Sequence, residues 1–241
     1  VTGRGVESKI VTEKFLWDFR RTIADLFEDN YFNYFAEKCK EHGLLASVEP
    51  YGGPFEAMSC SVDSDIIMGE FWVGSNYFST PKLAASVAHT HDKKIVGAES
   101  FTSTPDMGKW QNYPASLKSI GDRVWCTGVN RYIFHRYAHQ PWIGVEPGMT
   151  MGQWGSHFDR TNTWWQQSKG WMEYIARSQY MLQGGKFAAD VLFFAGEAIP
   201  NVHVYDPELK GKGYDYDCIG TDMIGQLVVD DGEIVLPSGM W

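Results

Sequence analysis

The sequence predicts an α/β fold, specifically one half of a (β/α)8 TIM-type barrel, and three observations support this. Short apolar segments alternate with amphipathic helical segments along residues 12–141. Three of the apolar segments are each followed by a glutamate, namely Glu49, Glu70 and Glu99. Glu70 follows Glu49 by 21 residues and Glu99 follows Glu70 by 29, while a barrel of roughly 250 residues uses about 31 per strand–helix unit. We therefore expect these acids at the C-terminal ends of consecutive barrel strands, where barrels carry their active sites.

The first element is a long amphipathic helix over residues 12–42. Its apolar side chains recur at steps of three and four residues, as one buried helix face requires. Lys38 and Lys40 lie near its end, where cations are favourable, and Gly43 follows as a stop. A short strand then ends at Glu49.

The following units repeat the order of strand, acid and helix. Thr80 is placed to cap one helix, and Pro81 is favourable in its first turn. Four strands cannot close a barrel, so we expect the missing half to precede Val1. The predicted elements are strands over 66–68 and 95–98, helices over 80–93 and 114–128, and a strand over 129–141.

The predicted domain organisation has three parts. Residues 1–158 form the half-barrel, and residues 159–186 form a long connecting helix that ends at two glycines. Residues 187–241 begin a further α/β domain, with a strand in "ADVLFFAGE" and a small hairpin that turns at Asp231 and Gly232.

The composition excludes some function classes. A net charge of −9 and a pI near 5.2 argue against nucleic acid as a partner. No apolar run reaches the length of a membrane span, and the four cysteines lack zinc-site spacing. The 10 Trp, 12 Tyr and 14 Phe are unusually frequent in Gly-rich segments, which suits planar apolar ligands or the faces of sugars.

The three glutamates carry the sharpest chemical signal. Glycoside hydrolysis needs two carboxyl groups, one to protonate the leaving oxygen and one to act as base or nucleophile. Carboxylates also bind hard cations such as calcium. The spacing alone does not separate these two uses.

Two further segments supply candidate sugar-binding residues. The string "RYIFHRYAHQPW" carries His135, Arg136, His139 and Trp142. His135 is suited to orient a sugar hydroxyl or an acid, although a purely structural histidine is the alternative. His135 and His139 do not indicate zinc, because their spacing suits a helix and this segment is predicted as a strand. Trp154 in a Gly-rich loop is either a sugar platform or a packing residue.

Longer strings resemble glycoside hydrolase family 106, the α-L-rhamnosidases. They include "EPYG", "GEFWVG", "KIVGAESFT", "FHRYAHQPW", "PGMTMGQWGSHFDRTNTWW" and "ADVLFFAGE", and the match runs nearly the whole length. The resemblance implies a (β/α)8 catalytic barrel, here its fifth to eighth strands, within a larger bacterial protein. It also implies that "ADVLFFAGE" opens an amidotransferase-like α/β domain.

The resemblance also implies roles for the acids. Glu99 matches the general base of an inverting hydrolase, Glu70 matches a further active-site carboxylate, and Glu49 is another residue of the barrel mouth. The general acid of the family lies on the fourth strand, before Val1. A retaining glycosidase and a non-catalytic sugar-binding fragment remain alternatives.

The resemblance implies the surroundings of the protein as well. The partners are a rhamnose-containing oligo- or polysaccharide from plant material and the N-terminal part of the same polypeptide. Calcium is the expected cofactor, with ligands that the sequence does not identify. The expected location is periplasmic or secreted.

Overall fold

The computed structural model describes residues 3–201 and 203–237. The chain divides into two compact units, one of residues 1–65 with 189–241 and one of residues 66–188. The elements in chain order are α1 (Lys9–Phe27), α2 (Tyr34–Glu41), β1 (Ser47–Val48), β2 (Ile66–Trp72), α3 (Ser79–Thr90), β3 (Val96–Thr102), α4 (Pro114–Trp125), β4 (Arg131–Phe134), α5 (Lys169–Leu182), β5 (Val191–Phe194), α6 (Pro207–Gly211), β6 (Tyr216–Ile219), α7 (Thr221–Ile224), β7 (Val228–Asp230) and β8 (Glu233–Val235).

The first unit begins with the predicted long helix. The hydroxyl of Ser8 accepts a hydrogen bond from the Val11 backbone N–H and caps α1. A π-helical turn, Glu28–Asn33, joins α1 to α2, so the predicted helix over 12–42 is interrupted rather than uniform. The helix ends before Gly43, whose φ of 67° closes it in the left-handed conformation.

The C-terminal segment of the same unit has two small sheets. β5 pairs in parallel with β6, and β7 pairs with β8 in an antiparallel hairpin. The predicted strand in "ADVLFFAGE" and the predicted hairpin turn at Asp231 and Gly232 are both confirmed.

The second unit contains the elements that position the predicted acids. Strands β2, β3 and β4 are consecutive and parallel, with α3 and α4 as the crossover helices between them. Residue 158, a predicted domain boundary, lies inside this unit, whereas the predicted boundary at residue 187 lies near its end at Ala188.

The β2–β4 sheet has two different faces. Helices α3, α4 and α5 pack against one side of the sheet, which we call the covered face. We call the opposite side the open face. Ile67, Gly69 and Phe71 of β2 are buried on the covered face, and the residues that alternate with them are half-buried on the open face. The covered face also carries Ala98, Ser100, Phe101, Tyr132 and Phe134, and the open face carries Met68, Glu70, Trp72, Gly97, Glu99 and Ile133.

Aromatic rings fill the covered side. The ring of Phe101 packs edge-on against that of Phe71, with centroids 4.8 Å apart, and lies 5.3 Å from that of Tyr132. The Tyr132 hydroxyl donates to the Gly121 carbonyl of α4 at 2.6 Å. The ring of Trp171 in α5 packs against that of Phe101, with ring centroids 6.0 Å apart. This aromatic core fixes the sheet against its helices.

Several sequence predictions need correction. Glu70 and Glu99 lie within β2 and β3 rather than after them. β4 ends at Phe134, so the strand predicted over 129–141 is too long. The predicted connecting helix begins only at Lys169. Thr80 does not cap α3, whose N-cap is Phe78, because its hydroxyl bonds to β2 instead.

Candidate active site

Glu70 and Glu99 are direct neighbours across two parallel strands. The strand register pairs Met68 with Gly97, Gly69 with Ala98 and then Glu70 with Glu99. Adjacent strands lie about 4.8 Å apart, so both acids project from the open face side by side. Both are half-buried, and the side chain of Glu99 is 24% exposed. The open face therefore presents an acidic pair that solvent reaches.

Helix α3 holds the backbone of Glu70. The Thr80 hydroxyl accepts from the Glu70 N–H at 3.0 Å and donates to the Glu70 carbonyl at 3.1 Å. Gly69 permits this close approach, because a Cβ there would lie 2.3–2.5 Å from the backbone of Thr80 and Pro81. The start of α3 is thus fastened to β2 directly behind the acid.

A bulge in β3 places a hydrogen-bond donor on Glu99. The register shifts after Glu70–Glu99, so that Trp72 pairs with Thr102 and β3 has one extra residue. Phe101 adopts a φ of 63° at this point, a conformation that few non-Gly residues accept. The Thr102 hydroxyl donates to Oε1 of Glu99. Sequence reasoning missed Thr102, because a bulge leaves no local signature here.

His135 is the second neighbour of Glu99. It follows β4, and its backbone N–H donates to the Ser100 carbonyl at 3.0 Å. Its Nδ1 lies 3.7 Å from Oε1 of Glu99, and its side chain is 17% exposed. The imidazole therefore lies beside the same carboxylate oxygen that Thr102 contacts.

Two tryptophans border the open face. The rings of Trp72 and Trp154 meet edge to face, with centroids 6.0 Å apart and planes at 89°. Trp154 is 42% exposed, which leaves ring surface available to a ligand. The Trp154 carbonyl accepts from Arg136 Nη2 at 3.0 Å, which ties its loop to the end of β4. Sequence reasoning predicted Trp154 but missed Trp72, which lies beyond the strand predicted over 66–68.

Arg136 lies in a buried polar cluster rather than on the open face. It is 7% exposed, and burial lowers its pKa while Asp159 partly offsets this effect. Burial also lowers the pKa of His157, which is 3% exposed, and the nearby Arg136 charge adds to this. We call Arg136, His157 and Asp159 the buried cluster.

The remaining predicted residues are not among these neighbours of Glu99. His139 is exposed. Trp142 is 60% exposed and lines a separate cavity of about 730 Å³. Glu49 belongs to the other unit, where it is exposed after β1 beside an aromatic-lined cavity of about 480 Å³. The structure thus brings together Glu70, Glu99, His135, Thr102, Trp72 and Trp154.

The described residues offer no obvious metal centre. Within residues 3–201 and 203–237, no three His, Cys, Asp or Glu side chains gather as they would around a metal ion. The acidic pair therefore does not fit a calcium site by itself, because calcium takes six to eight oxygen ligands. In the same described ranges, no helix is both long and apolar enough to cross a membrane.

The sequence profile of glycoside hydrolase family 106, described as alpha-L-rhamnosidase, matches residues 1–241. The chain belongs to glycoside hydrolase family 106. The match confirms the family that the sequence strings indicated.

Two relatives place this member of family 106 in context. A protein from Formosa agariphila, provisionally named a β-glucuronidase, is 52% identical over 240 residues, which are 99% of this chain and 20% of that protein. The solved structure of a rhamnosidase from Novosphingobium sp. PP1Y matches with a TM-score of 0.82 at 31% identity, over 95% of this chain and 23% of that chain. The chain spans about a fifth of the length of these relatives.

Proposed function

We propose that this chain supplies the base side of the active site of an inverting α-L-rhamnosidase. The observation that carries the proposal is the acidic pair on the open face, Glu70 beside Glu99, in a chain that matches the rhamnosidase family throughout. We further propose that β1 to β4 are the fifth to eighth strands of a (β/α)8 barrel, and that residues 187–241 open an amidotransferase-like domain. The parallel order of β2, β3 and β4 with intervening helices supports the barrel.

The proposed reaction is a single displacement. Glu99 takes a proton from a water molecule, and the water oxygen forms a bond to the anomeric carbon of the rhamnosyl group. The bond from that carbon to the glycosidic oxygen breaks, and a general acid elsewhere in the complete polypeptide protonates the leaving oxygen. The two carboxyl groups then stand about 6.5–9.5 Å apart, which leaves room for the water.

The neighbours of Glu99 fit the role of a base. The Thr102 hydroxyl donates to Oε1, and the His135 imidazole lies 3.7 Å from the same oxygen. This arrangement leaves Oε2 for the attacking water. The Thr102 hydroxyl holds Oε1 in place, so that Oε2 keeps a fixed direction. Glu70 is proposed as the further carboxylate that orients the sugar ring.

The proposed substrate contacts surround this pair. Trp154 supplies an exposed aromatic surface, and His135 a polar group. Arg136 contributes indirectly, through its hydrogen bond to the Trp154 carbonyl. His139, Trp142 and Glu49 are proposed to contact more distant parts of the glycan, since each is exposed.

The biological setting is proposed from the resemblance alone. We place the enzyme in the periplasm or outside a bacterial cell, acting on terminal rhamnosyl groups of plant polysaccharides. Calcium enters on the same basis, with at least part of its ligands outside the described residues. Chelation by EDTA should lower the activity of the complete polypeptide, and added calcium should restore it.

The test is hydrolysis of an aryl α-L-rhamnoside by the complete polypeptide that contains this chain. We expect Glu99→Gln to lower kcat by about 100- to 10,000-fold, because the amide accepts no proton. Glu173→Gln on the exposed side of α5 is the matched control and should leave kcat unchanged. An aryl β-D-glucuronide is measured in parallel, because the Formosa agariphila relative is named for that activity. Preference for the glucuronide, or a fully active Glu99→Gln variant, would overturn the proposal.

A retaining mechanism is the second candidate, and the side-by-side position of Glu70 and Glu99 favours it. Retaining enzymes use carboxyl groups only about 5–5.5 Å apart. Proton NMR of the first released sugar separates the two candidates. Inversion gives β-L-rhamnose first, and retention gives α-L-rhamnose first.

A further inference from the structure

A second pocket lies in the same unit as the acidic pair. Its volume of about 730 Å³ falls in the range of small-molecule sites, about 300–1,000 Å³. Glu70, Glu99 and His135 are not among its lining residues, so it is separate from the candidate active site. The pocket, here called the tryptophan pocket, is lined by Trp110, Trp142, Gly144, Val145, Glu146, Pro147, Arg160, Thr161, Asn162 and Thr163.

One aromatic wall, Trp110, is held rigidly. Its ring stacks on His157 with centroids 3.8 Å apart and planes at 16°. Its Nε1 donates to the Thr161 hydroxyl at 3.1 Å, and that hydroxyl donates to Asp159 Oδ1 at 2.5 Å. Asp159 is 1% exposed. The indole therefore presents a fixed orientation to the pocket, at no ordering cost when a ligand binds.

The other aromatic wall, Trp142, is tied to the same turn. Arg160 donates from Nη2 to the carbonyls of Gln140 at 2.8 Å and Trp142 at 3.2 Å. The Gln140 side chain in turn exchanges two hydrogen bonds with the Met149 backbone, at 2.8 and 3.0 Å. The backbone of the Trp142 loop is thus anchored while its ring stays 60% exposed. An exposed ring on an anchored loop is poorly explained by packing alone.

The layer behind the pocket carries an energetic cost. Both ring nitrogens of His157, and Nε and Nη1 of Arg136, have no hydrogen-bond partner among the described residues although both side chains are more than nine-tenths buried. Buried polar groups without protein partners are unfavourable for folding. Such local costs concentrate at functional sites, where they are retained for what they position. Here His157 positions Trp110 by stacking against its ring.

The lining defines the chemistry of the ligand. Two indoles offer faces for the C–H groups of a pyranose ring, and the exposed Thr163 hydroxyl offers hydrogen bonds to sugar hydroxyls. Arg160 and Glu146, the charged residues of the lining, balance each other. We propose that the tryptophan pocket binds a neutral pyranose residue of the glycan, distinct from the rhamnosyl residue that is cleaved.

The role of the tryptophan pocket in catalysis rests on the proposed function. Its binding of a saccharide is tested separately, without measuring hydrolysis. The complete polypeptide carrying Glu99→Gln is titrated by calorimetry with neutral tetrasaccharides of glucose and of galactose, which have no rhamnosyl group. We expect at least one to bind, and Trp142→Ala to raise its Kd about tenfold, the equivalent of one lost ring contact. Tyr180→Ala, which removes another exposed aromatic ring on α5, is the control and should leave Kd unchanged.

A second variant protects the test against a folding defect. Thr163→Trp fills the pocket from an exposed position, and it should abolish binding while the melting temperature stays that of the parent. Tetragalacturonate is titrated in parallel as an acidic saccharide. The proposal is overturned if neither neutral saccharide binds, if both pocket variants leave binding intact, or if only tetragalacturonate binds. Lack of rhamnosidase activity would overturn the proposed function and leave this binding result standing.

Discussion

The two faces of the β2–β4 sheet use neighbouring residues for opposite purposes. Phe71 is fully buried in the aromatic core, and the next residue, Trp72, lies on the open face against Trp154. The same contrast separates Ala98, which is fully buried, from Glu99, which is reached by solvent. Because strand side chains alternate, one short segment contributes to stability and to chemistry without competition between them. Substitutions on the covered face should therefore affect folding, and those on the open face should affect turnover.

The largest expected effect is on the covered face. Phe71→Ala removes a fully buried ring that contacts Phe101 and Tyr132, and should lower the free energy of unfolding by about 3–5 kcal/mol. Trp72→Ala, one residue along, should cost less than half as much, because Trp72 is half-buried. Urea denaturation of both variants measures this. Equal losses of unfolding free energy in the two variants would show that the covered and open faces contribute equally to stability.

Two glycines test the same contrast at the backbone. Gly69→Ala drives a Cβ into the backbone of Thr80 and Pro81 on the covered face, and should destabilise the protein by about 1–3 kcal/mol. Gly97→Ala on the open face meets side-chain atoms only, the nearest being Met68 Cγ at 2.6 Å, and should cost less because no backbone has to shift. Thermal denaturation gives the comparison. A greater loss for Gly97→Ala would contradict it.

A smaller effect is expected at the bulge. Thr102→Val keeps the shape of the side chain but removes its hydrogen bond to Glu99, and should lower kcat/KM about tenfold, which corresponds to one hydrogen bond to a charged group. Thr90→Val on α3 removes a buried hydroxyl that bonds to the Ser86 and Val87 carbonyls and to the His91 ring, none of them a neighbour of Glu99, and it is the control. Kinetics on an aryl rhamnoside measure both. Thr102→Val with parental kinetics would remove Thr102 from the site.

The smallest effect concerns acidification. Burial and the Arg136 charge hold the pKa of His157 below its ordinary value of 6.5, so the unfolded chain binds a proton more readily than the folded one. Stability from this group is present above pH 6.5 and is lost as the pH falls below it. His157→Gln should flatten the fall in melting temperature between neutral and mildly acidic pH. His139→Gln, at an exposed position, should leave that slope as it is.

The sequence predicted the parts of this site that depend on local pattern. Apolar runs located β2 and β3, and the acid that follows each run identified Glu70 and Glu99, although both lie within the strands rather than after them. The alternation of a strand then places both acids on one face once their register is known. The register itself depends on how α3 packs, and the sequence contains no separate signal for it.

The parts that were missed depend on tertiary contacts. Thr80 looked like a helix cap, because threonine is favourable there, yet its hydroxyl bonds the backbone of Glu70. Thr102 lies three residues after Glu99, a spacing that an unbroken strand would place on the opposite face. Arg136 looked accessible in a polar string, but the loop around Trp154 covers it.

The single extra residue in β3 has a consequence for engineering. Replacing the bulge by plain alternation at unchanged length would put Thr102, three residues after Glu99, on the opposite face and turn its hydroxyl away from the carboxylate, although no residue that touches substrate had been altered. The backbone conformation of this short stretch therefore determines which side chains reach Glu99 as much as residue identity does. Libraries that vary this sheet should conserve the bulge between residues 99 and 102 before they conserve side chains.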